Sequence, residues 1–182
     1  MRYCADCGAT VELRTPQDDN RERYVCTSCD TIHYQNPKII VGAIPEWEDG
    51  RILLCLRAIE PRHGLWTLPA GFMENGETVT QGAARETLEE ANARVDIHEL
   101  LGLYNLPYIN QVQMLFRATL LDLDFSPGVE SLDVQLFKEE DIPWEQLAFR
   151  PVRYALENYF ADRKRGEFKL HSGDLEPPIR KA

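Results

Sequence analysis

The chain has 182 residues, enough for one substantial core and a small appended module. Its net charge of −10 and pI near 4.9 argue against sequence-independent binding to long nucleic acids, which relies on a basic surface. No run approaches the roughly 18 unbroken apolar residues of a membrane span, and the opening MRYCADCG has no apolar signal segment, so a cytoplasmic setting is expected. An anionic substrate would need a metal ion or clustered arginines to overcome this field.

Four of the five cysteines form two pairs, Cys4 with Cys7 and Cys26 with Cys29, in the pattern C-x2-C-x18-C-x2-C. That spacing falls in the range of zinc sites, and in a reducing compartment paired thiols hold metal rather than form disulfides. Four thiolates fill every tetrahedral position, so the expected site is a closed, structural zinc ribbon. His33 lies close by but is not needed as a ligand. Residues 1–36 are too few to fold on their own core, so metal binding must supply much of the folding energy. YQNPK, residues 34–38, reads as the connector.

The second unit, 37–166, opens with two β-branched runs around Asp49-Gly50, a hairpin signal. Cys55, inside the apolar run RILLCLR, is expected to be a core thiol. PRHGLWTLPAGF, residues 61–72, has the proline and glycine density of a loop. A helix follows over about 77–91, with Val79, Ala83, Ala84, Leu88 and Ala91 as its apolar stripe, opposite the glutamates. Strands are expected near ARVDIHELLGLYN, VQMLFRATLLDLDF and SLDVQLF. A last helix fits PVRYALENYFADRK, with Pro151 at its first position and Val152, Ala155, Leu156, Tyr159 and Phe160 on one face. The tail, 167–182, reads as irregular. Strands and helices mix without strict alternation, which predicts an α/β (α+β) fold with a mixed sheet flanked by helices.

One short stretch carries chemistry. In GFMENGETVTQGAARETLEEANARV, residues 71–95, Glu86, Glu89 and Glu90 fall within little more than one helical turn, on one face. Like charges at that spacing repel by a few tenths of a kcal/mol per exposed pair, about 0.2–0.5. Converging carboxylates are hard oxygen ligands suited to Mg²⁺ or Mn²⁺, and a bound cation would turn the repulsion into attraction and engage substrate phosphates. The plain alternative is a solvated acidic face.

Written out, residues 71–93 read G-x5-E-x7-R-E-T-L-E-E-A-N-A, which resembles the Nudix box G-x5-E-x7-R-E-U-x-E-E-x-G-U, where U is aliphatic. GLWTLPAGF leads into the box, and a Cys4 ribbon precedes it, as in the zinc-ribbon branch of Nudix hydrolases. The resemblance implies an α/β/α sandwich. It places metal-binding carboxylates at Glu86, Glu89 and Glu90, and bracing roles at Gly71, Glu77 and Arg85. It implies a further ligand from a later loop, for which Glu130 in SPGVESLDVQLF is preferred over Asp133. A glutamate left off the metals can serve as base. The departures are Thr87 and Ala93 at aliphatic positions and Asn92 where the box has glycine; Asn tolerates the left-handed conformation next best.

For substrate phosphates, Arg57, Arg62, His63 and Lys38 are the candidate cations, and Trp66 and Tyr108 are candidate stacking rings, although Trp66, embedded in GLWTLP, reads more readily as core. The S-Q-P-W-P-F-P array of zinc-ribbon NADH pyrophosphatases is missing after the box, which disfavours NADH. The rest resembles zinc-ribbon enzymes related to FAD and ADP-ribose diphosphatases, implying a small dinucleotide or nucleotide-sugar substrate, release of AMP, and a homodimer. The competing expectation is a non-catalytic regulator that binds a nucleotide-sugar.

Overall fold

The computed structural model describes residues 1–177, and the chain divides at Pro37/Lys38 into two units. In the first, three short antiparallel strands pair in sequence order: β1 (Val11–Arg14), β2 (Arg23–Cys26) and β3 (Ile32–His33). Gly8 and Asp30, both at positive φ, close the two cysteine turns, and Thr31 O accepts from Cys26 N. The buried residues here are Cys4, Pro16, Val25 and Cys26, so apolar packing is slight. The sulfurs of Cys4, Cys7, Cys26 and Cys29 lie within 4.8 Å of one another, a set that fits one tetrahedral ion. Ser28 N and Cys29 N point at Cys26 Sγ at 3.4 Å, and His33 Nε2 sits 3.3 Å from Cys4 Sγ, so the histidine supports a ligand.

The second unit is built on an eight-stranded mixed sheet. Its strands are β4 (Lys38–Glu46), β5 (Ile52–Arg57), β6 (Trp66–Thr67), β7 (Ala70–Phe72), β8 (Val95–Leu106), β9 (Gln111–Leu120), β10 (Ser131–Phe137) and β11 (His171–Asp174). The main path runs β10-β5-β4-β9-β8-β11, with β6 paired to β5 and β7 to β4. The β4–β9 and β8–β11 pairs are parallel; the others are antiparallel. The Asp49-Gly50 turn forms as the sequence predicts, with Gly50 at φ 84°. Among the described residues no helix is long and apolar enough to cross a membrane.

Two helices, α1 (Val79–Ala91) and α2 (Arg150–Arg165), cover the sheet. Strand periodicity assigns them to separate cores. Leu115 packs into the cluster holding Leu156, Tyr159 and Phe160 of α2, while its neighbour Phe116 joins Ala83 of α1 and Val41. Burying a side chain such as Phe160 stabilises by roughly 1.5–3 kcal/mol. Cys55 is buried in a third cluster with Ala91 and Leu120, as a core thiol should be. The α1 N-terminus is closed by a capping box: Thr78 Oγ1 accepts from Gln81 N, and Gln81 Oε1 accepts from Thr78 N.

Two expectations need correction. The α1 stripe is rotated from the one read by hydrophobicity. Leu88 is 50% exposed, whereas Glu86, Thr87 and Glu90 lie on the buried side with Ala83 and Ala91. The segment after Gly166 is not wholly irregular, because residues 171–174 form β11 along β8. The sequence HSGD has no apolar alternation to announce a strand. It is held instead by buried Asp162 of α2, which accepts from His171 Nε2 at 2.8 Å and Lys169 N at 3.1 Å and pairs with Arg165. Residues 178–182 of the expected tail lie outside the described residues.

Burial pushes the Asp162 carboxyl up, but the hydrogen bonds from His171 and Lys169 and the charges beside it prevail and hold it below the usual range. A depressed folded pKa contributes stability that is complete above the ordinary carboxylate range and is lost as pH falls through it. Asp162→Asn should therefore cost about 1–3 kcal/mol near neutral pH and weaken the acid-induced loss of stability. Urea melts from pH 3 to 7 read both effects; identical pH profiles for the two proteins would refute the assignment.

Candidate active site

Gly71 allows β7 to run against α1. A Cβ added there would lie 2.3 Å from Glu86 Oε2, so a side chain at this position would push the Glu86 carboxylate aside. Gly82 does the same on the helix, where a Cβ would meet Glu77 Oε1 at 2.7 Å. Strand, loop and helix are thus drawn close enough to share one arginine.

That arginine is Arg85. Its Nε and Nη2 donate to both oxygens of Glu77, at 3.0 and 2.8 Å, in a bidentate grip. Nη2 also reaches Phe72 O at 3.0 Å, and Nη1 donates to Glu86 Oε1 at 2.8 Å and Glu89 Oε2 at 3.0 Å. Arg85, helped by the Glu74 N–H, holds Glu77 down at about 2. Gly71, Glu77 and Arg85 therefore stand together, and the helix spacing brings Glu86 and Glu89 to them.

Glu90 is placed differently. It is 6% exposed, and the polar contact it makes is with Ala70 N at 3.3 Å. Burial, then the charge of Glu86, pushes it up to about 8, against the pull of the Ala70 N–H and Arg57. Burial also raises Glu86, despite Arg85, and the charges of Glu89 and Glu130 add to the push. Burial and mutual repulsion outweigh Arg85 at Glu86 and the Ala70 N–H at Glu90, so both carboxyls favour protonation or a nearby cation. The donor set is all carboxylate oxygen, which fits a hard divalent ion.

Glu86, Glu89, Glu90 and Glu130 all line one cavity of about 810 Å³, and the charge of Glu130 acts on both Glu86 and Glu90. Glu130 reaches it from the loop before β10, where Glu130 O accepts from Ala58 N at 2.8 Å. Asp133 does not line it; its carboxylate takes the Val134 N–H at 2.8 Å and Gln135 Nε2 at 2.6 Å. Arg57 and Arg62 both line the cavity. Arg57 Nε donates to Pro61 O at 3.0 Å and its guanidinium lies 5.1 Å from the Phe149 ring centre, which fixes its orientation. Tyr108 lines the same cavity.

Trp66 is the residue the structure takes out of the expected set. It is 9% exposed, packs edge-on against Phe137 with ring centres 4.9 Å apart, and leaves its neighbour Thr67 to line the cavity. Alternation along β6 decides this, since only one of two adjacent residues can face the cavity. His63 and Lys38 are also outside the lining, and Lys38 Nζ sits 4.7 Å from the Phe72 ring centre. The sequence reading missed Phe72, Phe149 and Arg150, which do line the cavity. Phe149 and Arg150 stand at the start of α2, far along the chain from the box, and no local pattern marks them.

The NUDIX domain family model matches residues 36–157, and the Nudix N-terminal zinc-ribbon model matches residues 2–35. Among solved structures, the chain is similar to a NUDIX hydrolase from Nitrosomonas europaea, with 59% identity and a TM-score of 0.94, covering 97% of this chain and 100% of that one. It is 34% identical over 148 residues to the NAD-capped RNA hydrolase NudC of Vibrio atlanticus, covering 79% of this chain and 51% of that protein. It is 31% identical over 120 residues to the ADP-ribose pyrophosphatase of Methanocaldococcus jannaschii, covering 64% of this chain and 69% of that protein. The chain spans about half the length of the NudC relatives it matches.

Proposed function

Because this chain belongs to the Nudix family, we propose that it hydrolyses the diphosphate bond of a nucleoside diphosphate linked to another moiety, ADP-ribose or FAD, releasing AMP. The observation that supports this reading is that Glu86, Glu89, Glu90 and Glu130 line one cavity together with Arg57 and Arg62. The relative named ADP-ribose pyrophosphatase favours the same bond.

In this reading carboxylates among Glu86, Glu89, Glu90 and Glu130 would hold Mg²⁺ or Mn²⁺. When bound, the ion neutralises diphosphate charge and stabilises the attacking and leaving oxygens of an in-line displacement. Arg85 keeps Glu86 and Glu89 aimed into the cavity, with Glu77 locking the guanidinium in place. Arg57 and Arg62 grip phosphate oxygens from the other side. A carboxylate not engaged with the ion takes the proton from the attacking water. Tyr108, Phe72 and Phe149 line the cavity and offer aromatic faces for a base. Cys4, Cys7, Cys26 and Cys29 hold a structural Zn²⁺.

The relatives named NAD-capped RNA hydrolases favour a second reading, in which a nicotinamide dinucleotide end is the group cleaved. One panel separates the readings: FAD, ADP-ribose, NADH, CoA and a short NAD-capped RNA, each with and without Mg²⁺ or Mn²⁺, with products identified by chromatography. AMP from ADP-ribose or FAD, only with metal, is the expected result. Cleavage confined to the nicotinamide substrates would install the second reading. Tight binding without turnover of any substrate would leave a regulator.

A further inference from the structure

Glu130 is forty positions from Glu90 in the chain, yet it lines the same cavity and its charge acts on Glu90, so something must seat its loop near α1. The last carbonyls of a helix have no partners within it. Here the segment before β10 supplies them: Ser126 N donates to Ala91 O at 2.9 Å, and Gly128 N to Glu90 O at 3.0 Å. A Cβ on Gly128 would lie 1.8 Å from Glu89 O, so the loop backbone rests directly on the turn that carries the metal-facing carboxylates.

Asn92 completes this seat. At φ 48° it takes the left-handed conformation that ends the helix, and its backbone N donates to Leu88 O at 2.8 Å. A glycine could do that much. The Asn92 side chain adds what glycine lacks: Nδ2 lies 3.1 Å from Ser126 Oγ, 3.2 Å from Ser126 O and 3.3 Å from Pro127 O. Its two protons are shared among three acceptors on the loop. Asn also stands where the box pattern has glycine, so in this chain the helix end grips the loop as well as turning away from it.

We propose that Asn92 is a positioning residue, whose side-chain amide holds the 126–130 loop on the end of α1 and thereby sets Glu130 near Glu86 and Glu90. The role rests on the reading above, in which Glu130 belongs to the metal-holding set. Asn92→Gly is the informative variant because it keeps the left-handed turn without strain and removes only the amide. Asn92→Asp keeps the shape and loses the donor.

Three measurements on the full chain test it: hydrogen exchange of residues 122–131 in the metal-free protein, Mn²⁺ affinity by calorimetry, and kcat on ADP-ribose. Each is made for Asn92→Gly, Glu130→Ala and the double variant. Asn92→Gly should speed exchange of 122–131 several-fold while leaving 79–88 unchanged. It should also lower Mn²⁺ affinity and kcat roughly five- to twenty-fold, with Asn92→Asp behaving alike. In the Glu130→Ala background the same change should cost less than twofold, because the residue acts through Glu130. Equal losses in both backgrounds, or unchanged exchange, would overturn the proposal and leave the site reading intact. A Glu130→Ala protein with wild-type Mn²⁺ affinity and turnover would overturn the site reading and the positioning role together.

Discussion

Glu90→Gln should lower turnover by about a thousandfold and at the same time make the metal-free protein more stable. The first effect follows from the proposed reading, in which Glu90 is one of the metal-holding carboxylates; losing one such preorganised group costs on the order of 10²–10³ in rate. The second follows from the position of Glu90. It is buried beside Glu86, and these two causes push it up to about 8. An ordinary glutamate in the unfolded chain titrates near 4.3. For an acid whose folded pKa is raised, the penalty is absent below the unfolded value and grows as pH rises toward the folded one. Without metal, the wild-type protein should therefore lose stability as pH goes from about 5 to 8, and the Gln variant should lose less. A gain of about 1 kcal/mol near pH 7.5 corresponds to roughly 2–4 °C in a chain of this size. Added Mn²⁺ should restore the wild-type protein and do much less for the variant. Thermal melts over pH and metal concentration, beside rate measurements, read all of this. A variant that is both active and insensitive to these conditions would remove Glu90 from the chemistry.

Stripping the ribbon of metal should unfold residues 1–37. Four buried residues, two of them cysteines, cannot offset the ordering of that many positions by packing. A structural zinc supplies about 10–16 kcal/mol of apparent binding energy in isolated zinc-finger peptides. The effect of losing it is correspondingly all-or-none for a unit with so small a core. A strong chelator, or Cys26→Ser, should abolish hydrogen-exchange protection at Val25 and Cys26, which sit in β2. Metal analysis of the untreated protein should return one zinc per chain. Protection that persists after the metal is gone would show that strand pairing alone holds this unit.

The parts legible in the sequence are those governed by short-range geometry. Residues 86, 89 and 90 converge because a helix repeats every 3.6 residues, and both cysteine pairs approach because a C-x2-C turn is local. The α2 face, Val152 through Phe160, is wholly buried as its spacing requires. Where two faces compete, the local rule fails. Hydrophobicity alone sets Leu88 inward, yet the helix turns Glu86 and Glu90 to the buried side. Trp66 reads from the sequence as either a stacking ring or core, and strand alternation leaves it off the cavity while Thr67 lines it.

By itself, then, the sequence determined the ribbon spacing, the mixed α/β character, and the box that groups Gly71, Glu77, Arg85 and three carboxylates, all within 20 residues of one another. Only the tertiary structure decided that Glu130 joins them, that Phe149 and Tyr108 border the same cavity, and that HSGD becomes a strand against β8. The physical reason is contact range. Backbone periodicity fixes neighbours a few positions apart, whereas the meeting of distant segments depends on which carbonyls and apolar faces are left to be satisfied once every element has packed.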